Sequence, residues 1–96
     1  MSTWGIGQIR VKEPARYKEY AAQFMAILNQ YGGALVCIGD VADVLEGQWE
    51  YPRTVVIKFP DKNSALRWYH SPEYQKIASI RKSAADANIV LVDSLV

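Results

Sequence analysis

The sequence predicts an α+β domain of order β-α-β-β-α-β, with one antiparallel four-stranded sheet and its helices on one face. Three observations carry this reading. Short runs rich in β-branched and aromatic residues occur at 4–11, 34–39, 53–59 and 88–94. One apolar stripe at three- and four-residue spacing lies between the first two runs. Residues 61–85 carry two helix-start signals in succession, between the third run and the last.

In the first strand, Trp4, Ile6, Gln8 and Arg10 fall on one face and Gly5, Gly7, Ile9 and Val11 on the other. The two glycines point to a bulge or to the close approach of another backbone. They sit in no GxGxxG or Walker pattern, so a phosphate loop is not indicated. Glu13-Pro14 opens the first helix, with Pro at its first turn. Tyr17, Tyr20, Ala21, Phe24, Ile27, Leu28 and Tyr31 form its apolar stripe, read as core with pocket-lining tyrosines as the alternative, and Gly32-Gly33 ends it. Ala34 to Gly39 is the second strand, and Val41 to Leu45 is expected to extend it across a bend. Gly47 to Pro52 supplies turn chemistry, leading into a third strand from Arg53 to Phe59. Pro60 stops that strand, and Asp61 caps a helix that Ser71-Pro72-Glu73 restarts. Trp68, Tyr69, His70 and Tyr74 make this the densest aromatic stretch, beside the one histidine. The last strand is built on Ile89, Val90, Leu91 and Val92. This order, with helices of these lengths, is the ferredoxin-like arrangement, and residues 1–96 read as one such domain. The fold hosts many functions and by itself assigns none.

Composition removes several classes. The chain is 50% hydrophobic and 22% charged, which suits a folded globule. Its net charge is +1, with no basic run beyond Arg81-Lys82, so no footprint for nucleic acid or an anionic membrane is expected. The strand order also serves RNA-recognition domains, but the third strand reads RTVVIKF, with only Phe59 aromatic. No apolar run approaches the roughly 20 residues of a membrane span, and the N-terminus lacks a signal-peptide core. A soluble cytoplasmic protein is the expectation. The single cysteine, Cys37, lies in the run Leu35 to Ile38 and is expected to be a buried, inert thiol.

The candidate chemistry is sparse. His70 is the one side chain that ordinarily titrates near neutrality, a base if it reaches a substrate and a surface residue at a helix junction otherwise. No second histidine or cysteine is spaced to share a metal, and no cofactor is implied. Glu46, Trp49, Glu50 and Arg53 surround the predicted turn. There Arg53 could fix a small organic anion beside Trp49, or pair with Glu46 across the strands. Arg81 and Asp86 stand as ligand contacts, or as an exposed helix face and its end. A pocket between sheet and helices would draw on Trp49, Arg53, Trp68, Tyr69 and His70.

Taken together, Tyr31-Gly32-Gly33, Leu45-Glu46-Gly47 with Trp49 and Arg53, Phe59-Pro60, Trp68-Tyr69 with Ser71 and Glu73-Tyr74, Arg81 and the closing strand resemble one family. It is the small bacterial family known as domain of unknown function 1330, in the dimeric α/β barrel superfamily. The resemblance spans nearly the whole chain and implies a ferredoxin-like homodimer. It implies no established activity, although the superfamily includes small monooxygenases, muconolactone isomerases and haem-binding chlorite dismutases. The sequence departs from the family pattern at Cys37-Ile38-Gly39, where Arg-Gly-Gly is usual, at His70, where an acid is usual, and at Tyr51. The implied function is small-molecule binding or cofactor-independent isomerase or monooxygenase-like chemistry, with Arg53 and His70 as catalytic candidates. Trp49, Trp68, Tyr69, Glu46 and Arg81 are the ligand-binding candidates, and a non-catalytic binding module is the alternative.

The homodimer is also expected from the strands. Leu35 to Ile38, Val55 to Ile57 and Ile89 to Val92 are continuous apolar runs, so apolar groups should line both sheet faces. Helices cover one face only, and a second copy packed through the other is the simplest cover.

Overall fold

The structure, a computed structural model, describes residues 1–95; Val96 lies outside the described residues. Its elements are β1 (Thr3–Val11), α1 (Pro14–Gln30), β2 (Ala34–Gly39), β3 (Arg53–Phe59), α2 (Lys62–His70), α3 (Pro72–Ala84) and β4 (Ala85–Asp93). The strands form one antiparallel sheet in the order β2-β3-β1-β4, with the helices on one face, which is the ferredoxin-like arrangement.

Helix boundaries follow from side-chain chemistry. The Asp61 carboxylate accepts the Ser64 N–H at 2.7 Å and starts α2. The Ser71 hydroxyl donates to the Trp68 carbonyl at 2.8 Å and accepts the Tyr74 N–H at 3.1 Å. One residue therefore closes α2 and opens α3, and Pro72 fits the first turn because its missing donor is not needed there. Gly32, at φ +81°, supplies the left-handed residue that turns the chain out of α1.

The register sorts the sheet into two faces. Thr3, Gly5, Gly7 and Ile9 of β1 and Ile57 and Phe59 of β3 are buried under the helices. Tyr20, Leu28, Trp68, Tyr74 and Ile77 complete the core from the helical side. Gly5 is small because Ile57 lies over it: a Cβ at that position would sit 2.7 Å from Ile57 Cγ1. Contrary to the expectation for Gly5, a side chain and not another backbone makes the close approach, and β1 has no bulge. The opposite face carries Trp4, Ile6, Val56, Val90 and Val92 beside Gln8, Lys58 and Asn88. Val90 and Val92 are each about half exposed, so that apolar patch is uncovered in the single chain. Among the described residues no helix is long and apolar enough to cross a membrane.

Three expectations change. Residues 41–45 do not extend β2. Gly39 already pairs with Thr54 near the start of β3, and Pro52 has no N–H to continue the ladder. Residues 40–52 therefore form one long connection. Next, β2 bulges between Leu35 and Cys37, so Leu35 and Ile38 both face the helices while Cys37 faces away and is exposed. An edge strand with a bulge cannot bury every residue of an apolar run. Finally, β4 begins at Ala85, because Ala85, Asp86 and Ala87 pair with Val11, Arg10 and Ile9.

Candidate functional site

The helices do not seal the sheet along β2. A chamber of about 140 Å3 opens there between α1 and the strands. Helical spacing puts Tyr17, Tyr20 and Phe24 on its roof, three and four residues apart. Leu35, Ile38 and Val55 form its floor, and Arg53 stands at one end. A smaller void of about 30 Å3 continues inward over Gly5 and Gly7 to Trp68 and Tyr74, sharing Ile9, Tyr20, Phe24 and Val55 with the chamber.

Among the described residues Arg53 is the one charged group in the chamber lining. Its Nη1 donates to the Asp40 carboxylate, and its Cζ lies 5.7 Å from the centre of the Tyr17 ring. The Asp40 side chain is 76% exposed, so water screens that pair. The Arg53 Nε is buried and has no hydrogen-bond partner among the described residues. Tyr17 is buried, and burial raises its pKa above the ordinary tyrosine value, against the opposing pull of Arg53 and Arg81. At neutral pH the Tyr17 hydroxyl is therefore protonated and can donate a hydrogen bond. A neutral donor beside a fixed cation, at the end of an apolar chamber, is suited to a small organic molecule with one oxyanion.

The residues singled out in the sequence are divided among several places. Arg53 lies in the chamber. Trp68 is buried among aromatic rings, with Tyr74 at 4.2 Å and Phe59 at 5.4 Å between centroids, and its Nε1 has no partner. Tyr69 and His70 line a groove between α2 and β4, together with Leu66 and Ile89. His70 is exposed and stands edge-on to Tyr69 at 5.2 Å. Trp49 and Glu46 do not reach the chamber. Trp49 Nε1 donates to Thr54 Oγ1 at 2.9 Å, and Thr54 alternates with Arg53 onto the other sheet face. Arg53 pairs with Asp40, not with Glu46. Arg81 is 4% exposed, which removes the reading of it as an exposed helix face. It lines a separate cleft at the α3–β4 junction, together with Tyr69.

Tyr17 lines the chamber, although the sequence favoured core for it over pocket lining. Its position one turn after Pro14 gave no sign of a cavity; only the pairing of Arg53 with Ile9, beneath α1, brings the guanidinium to it. Among the described residues no group of three or more His, Cys, Asp or Glu is placed to hold a metal ion.

Solved structures share the fold. A protein of unknown function from Rhodopseudomonas palustris is 15% identical, with a TM-score of 0.82 over 98% of this chain and 82% of that one. A dimeric ferredoxin-like protein of unknown function from Jannaschia sp. CCS1 is 14% identical, with a TM-score of 0.71 over 98% of this chain and 100% of that one. SnoaB, a cofactor-independent oxygenase from Streptomyces nogalater, is 16% identical, with a TM-score of 0.67 over 97% of this chain and 92% of that one. No curated protein matches the chain. The family model described as Domain of unknown function (DUF1330) matches residues 2–95, and the chain belongs to that family.

Proposed function

We propose that this protein is a homodimer that binds a small, largely apolar organic anion in the chamber beneath α1 and transforms it without a cofactor. The observation that carries the reading is the buried, partnerless Nε of Arg53 at the end of an apolar cavity. A buried donor without an acceptor is unfavourable by about 1–3 kcal/mol, and a ligand oxyanion would remove that cost. Arg53 anchors the anion, and the Tyr17 hydroxyl donates to oxygen charge as it develops. Chemistry through a substrate enolate or phenolate, by isomerisation or by addition of dioxygen, fits a site that offers charge stabilisation. A cofactor-independent oxygenase on the same fold supports this by analogy of fold alone.

A second reading places the ligand in the groove between α2 and β4, with His70 as the base and Tyr69 as a wall. The specific observation in its favour is the partnerless Nε1 of Trp68, which borders that groove. The homodimer is supported by the apolar patch on the open sheet face and by the dimeric relative of the same fold. Covering several hundred Å2 at about 25 cal/mol per Å2 favours association by many kcal/mol before its entropy cost.

A metabolite panel screened by thermal shift, followed by turnover assays on each hit, tests both sites. The chamber reading expects hits abolished by Arg53→Ala and retained by His70→Ala; the groove reading expects the reverse. Ligand binding unchanged in both variants overturns both. Binding that depends on Arg53 without turnover leaves a non-catalytic binding module.

A further inference from the structure

A second opening lies toward the opposite edge of the sheet, where α3 hands over to β4. The cleft measures about 350 Å3 and is lined by Tyr51, Tyr69, Arg81, Lys82, Asp86 and Ile89, among others. Its lining is mostly polar, in contrast to the chamber.

Its charge is unbalanced. Arg81 is almost fully buried, with its guanidinium 5.8 Å from the centre of the Tyr20 ring and its Nε without a partner. Among the described residues no carboxylate forms an ion pair with Arg81 or Lys82. Asp86 is already engaged, by Arg10 at 2.6 Å and Lys12 at 3.3 Å. Those two cations hold its carboxyl below the usual range, with the Arg10 hydrogen bond as the largest cause. Glu50 is the other nearby acid, drawn to the Tyr51 hydroxyl and to Arg10. Among the described residues that line the cleft, two cations, Arg81 and Lys82, thus meet one carboxylate, and that carboxylate is already paired with Arg10 and Lys12. The C-terminal dipole of α3 supplies only about half a negative charge. A buried guanidinium without a counter-ion is unfavourable, and such a group is placed more readily by a ligand than by packing.

We propose that this cleft binds an oxyanion, the phosphate group of a small polar metabolite, with Arg81 and Lys82 as its charge partners. The side chains that line the cleft and can donate are Arg81, Lys82 and Tyr69, although the Arg81 Nε itself is buried. A dianion with three acceptor oxygens matches both this donor set and the excess charge better than a single carboxylate does. The site is separate from the chamber, and the inference does not depend on what the chamber holds.

Titrating the isotope-labelled full chain with inorganic phosphate, with ionic strength held constant by chloride, tests it by amide chemical shifts. The expected result is saturable shifts at Lys82, Asp86, Ala87 and Ile89 and none at the chamber residues Phe24, Leu35 and Val55. Lys82→Glu, at an exposed position, should weaken binding by about tenfold or more. Arg81→Gln should abolish saturable binding, and if that variant does not fold, Lys82→Glu decides. Shifts that stay linear in phosphate, that saturate elsewhere, or that are unchanged in Lys82→Glu overturn the proposal.

Discussion

The hydroxyls of Tyr20 and Tyr74 lie 2.8 Å apart in the buried seam between α1 and α3, and their rings meet edge to face at 6.2 Å. The pair joins the first helix to the last across the roof of the core. Tyr20→Phe should cost about 1 kcal/mol or more, because the Tyr74 hydroxyl stays buried and loses a partner. Tyr20→Phe with Tyr74→Phe should cost less than the sum of the single changes, as measured by urea unfolding. Strict additivity would show that the contact carries no coupling energy.

The same burial sets the alkaline limit of stability. Burial, followed by the neighbouring Tyr74, raises the Tyr20 pKa well above the ordinary value, and Tyr17 is raised for the same first reason. The folded state therefore holds these protons more tightly than the unfolded state. Their contribution is complete below about pH 10, the ordinary tyrosine value, and is lost as pH rises through the folded values. Tyrosinate absorbance followed alongside circular dichroism should show late tyrosines that ionise only as the fold is lost. In Tyr20→Phe, stability should fall less steeply with pH above about 10, relative to that variant's own stability at neutral pH; an unchanged slope would contradict this account.

Gly5 and Gly7 occupy equivalent positions on β1, yet their substitutions should differ in sign. A Cβ at Gly5 would overlap Ile57, whereas the nearest atom to one at Gly7 is Ile89 Cγ1 at 3.9 Å. Gly5→Ala should destabilise by about 1–3 kcal/mol. Gly7→Ala should be neutral or stabilising by up to about 1 kcal/mol. In an Ile57→Ala background the penalty at Gly5 should largely vanish. Equal effects at Gly5 and Gly7 by thermal unfolding would show that backbone freedom, not the Ile57 contact, is what both glycines provide.

Much of this fold could be read from side chains acting locally, and much of the site could not. Asp61, Ser71 and Pro72 announced their helix starts because capping needs only neighbouring atoms. The start of β4 at Ala85 was hidden, since Ala-Asp-Ala has little strand preference and is held by pairing with Val11, Arg10 and Ile9. Cys37 looked buried because the bulge that turns it outward leaves no mark in composition. Arg53 was a candidate from the sequence and lines the chamber, but grouping it with Trp49 and Glu46 assumed that neighbours in sequence share a side. Alternation along β3 sends Arg53 to the chamber and Thr54, the partner of Trp49, away from it. Tyr17 could not be told from core by spacing, because a stripe records which face is apolar and not whether that face is filled.

Cys37 gives a direct readout of the proposed dimer. It pairs with Val56 and so lies on the open sheet face with Ile6 and Val90. If two chains meet through that face, thiol labelling should slow as protein concentration rises into the dimer range. Ile6→Lys should restore fast labelling and give a monomer by light scattering. Labelling that is fast at every concentration, with a dimer still present, would move the interface elsewhere.

The long connection at 40–52 is fastened at both ends: Asp40 holds Arg53, and Trp49 holds Thr54. Between the fastenings, Val41 and Leu45 are largely exposed. The pairing of β2 with β3 is carried by the backbone ladder from Ala34–Lys58 to Gly39–Thr54, so the chain between the two clasps is free of that duty. Doubling such a loop costs only about 0.6 kcal/mol in closure entropy. Descendants of this chain could accordingly acquire extra segments there, diversifying what one rim of the molecule meets while inheriting an unaltered sheet.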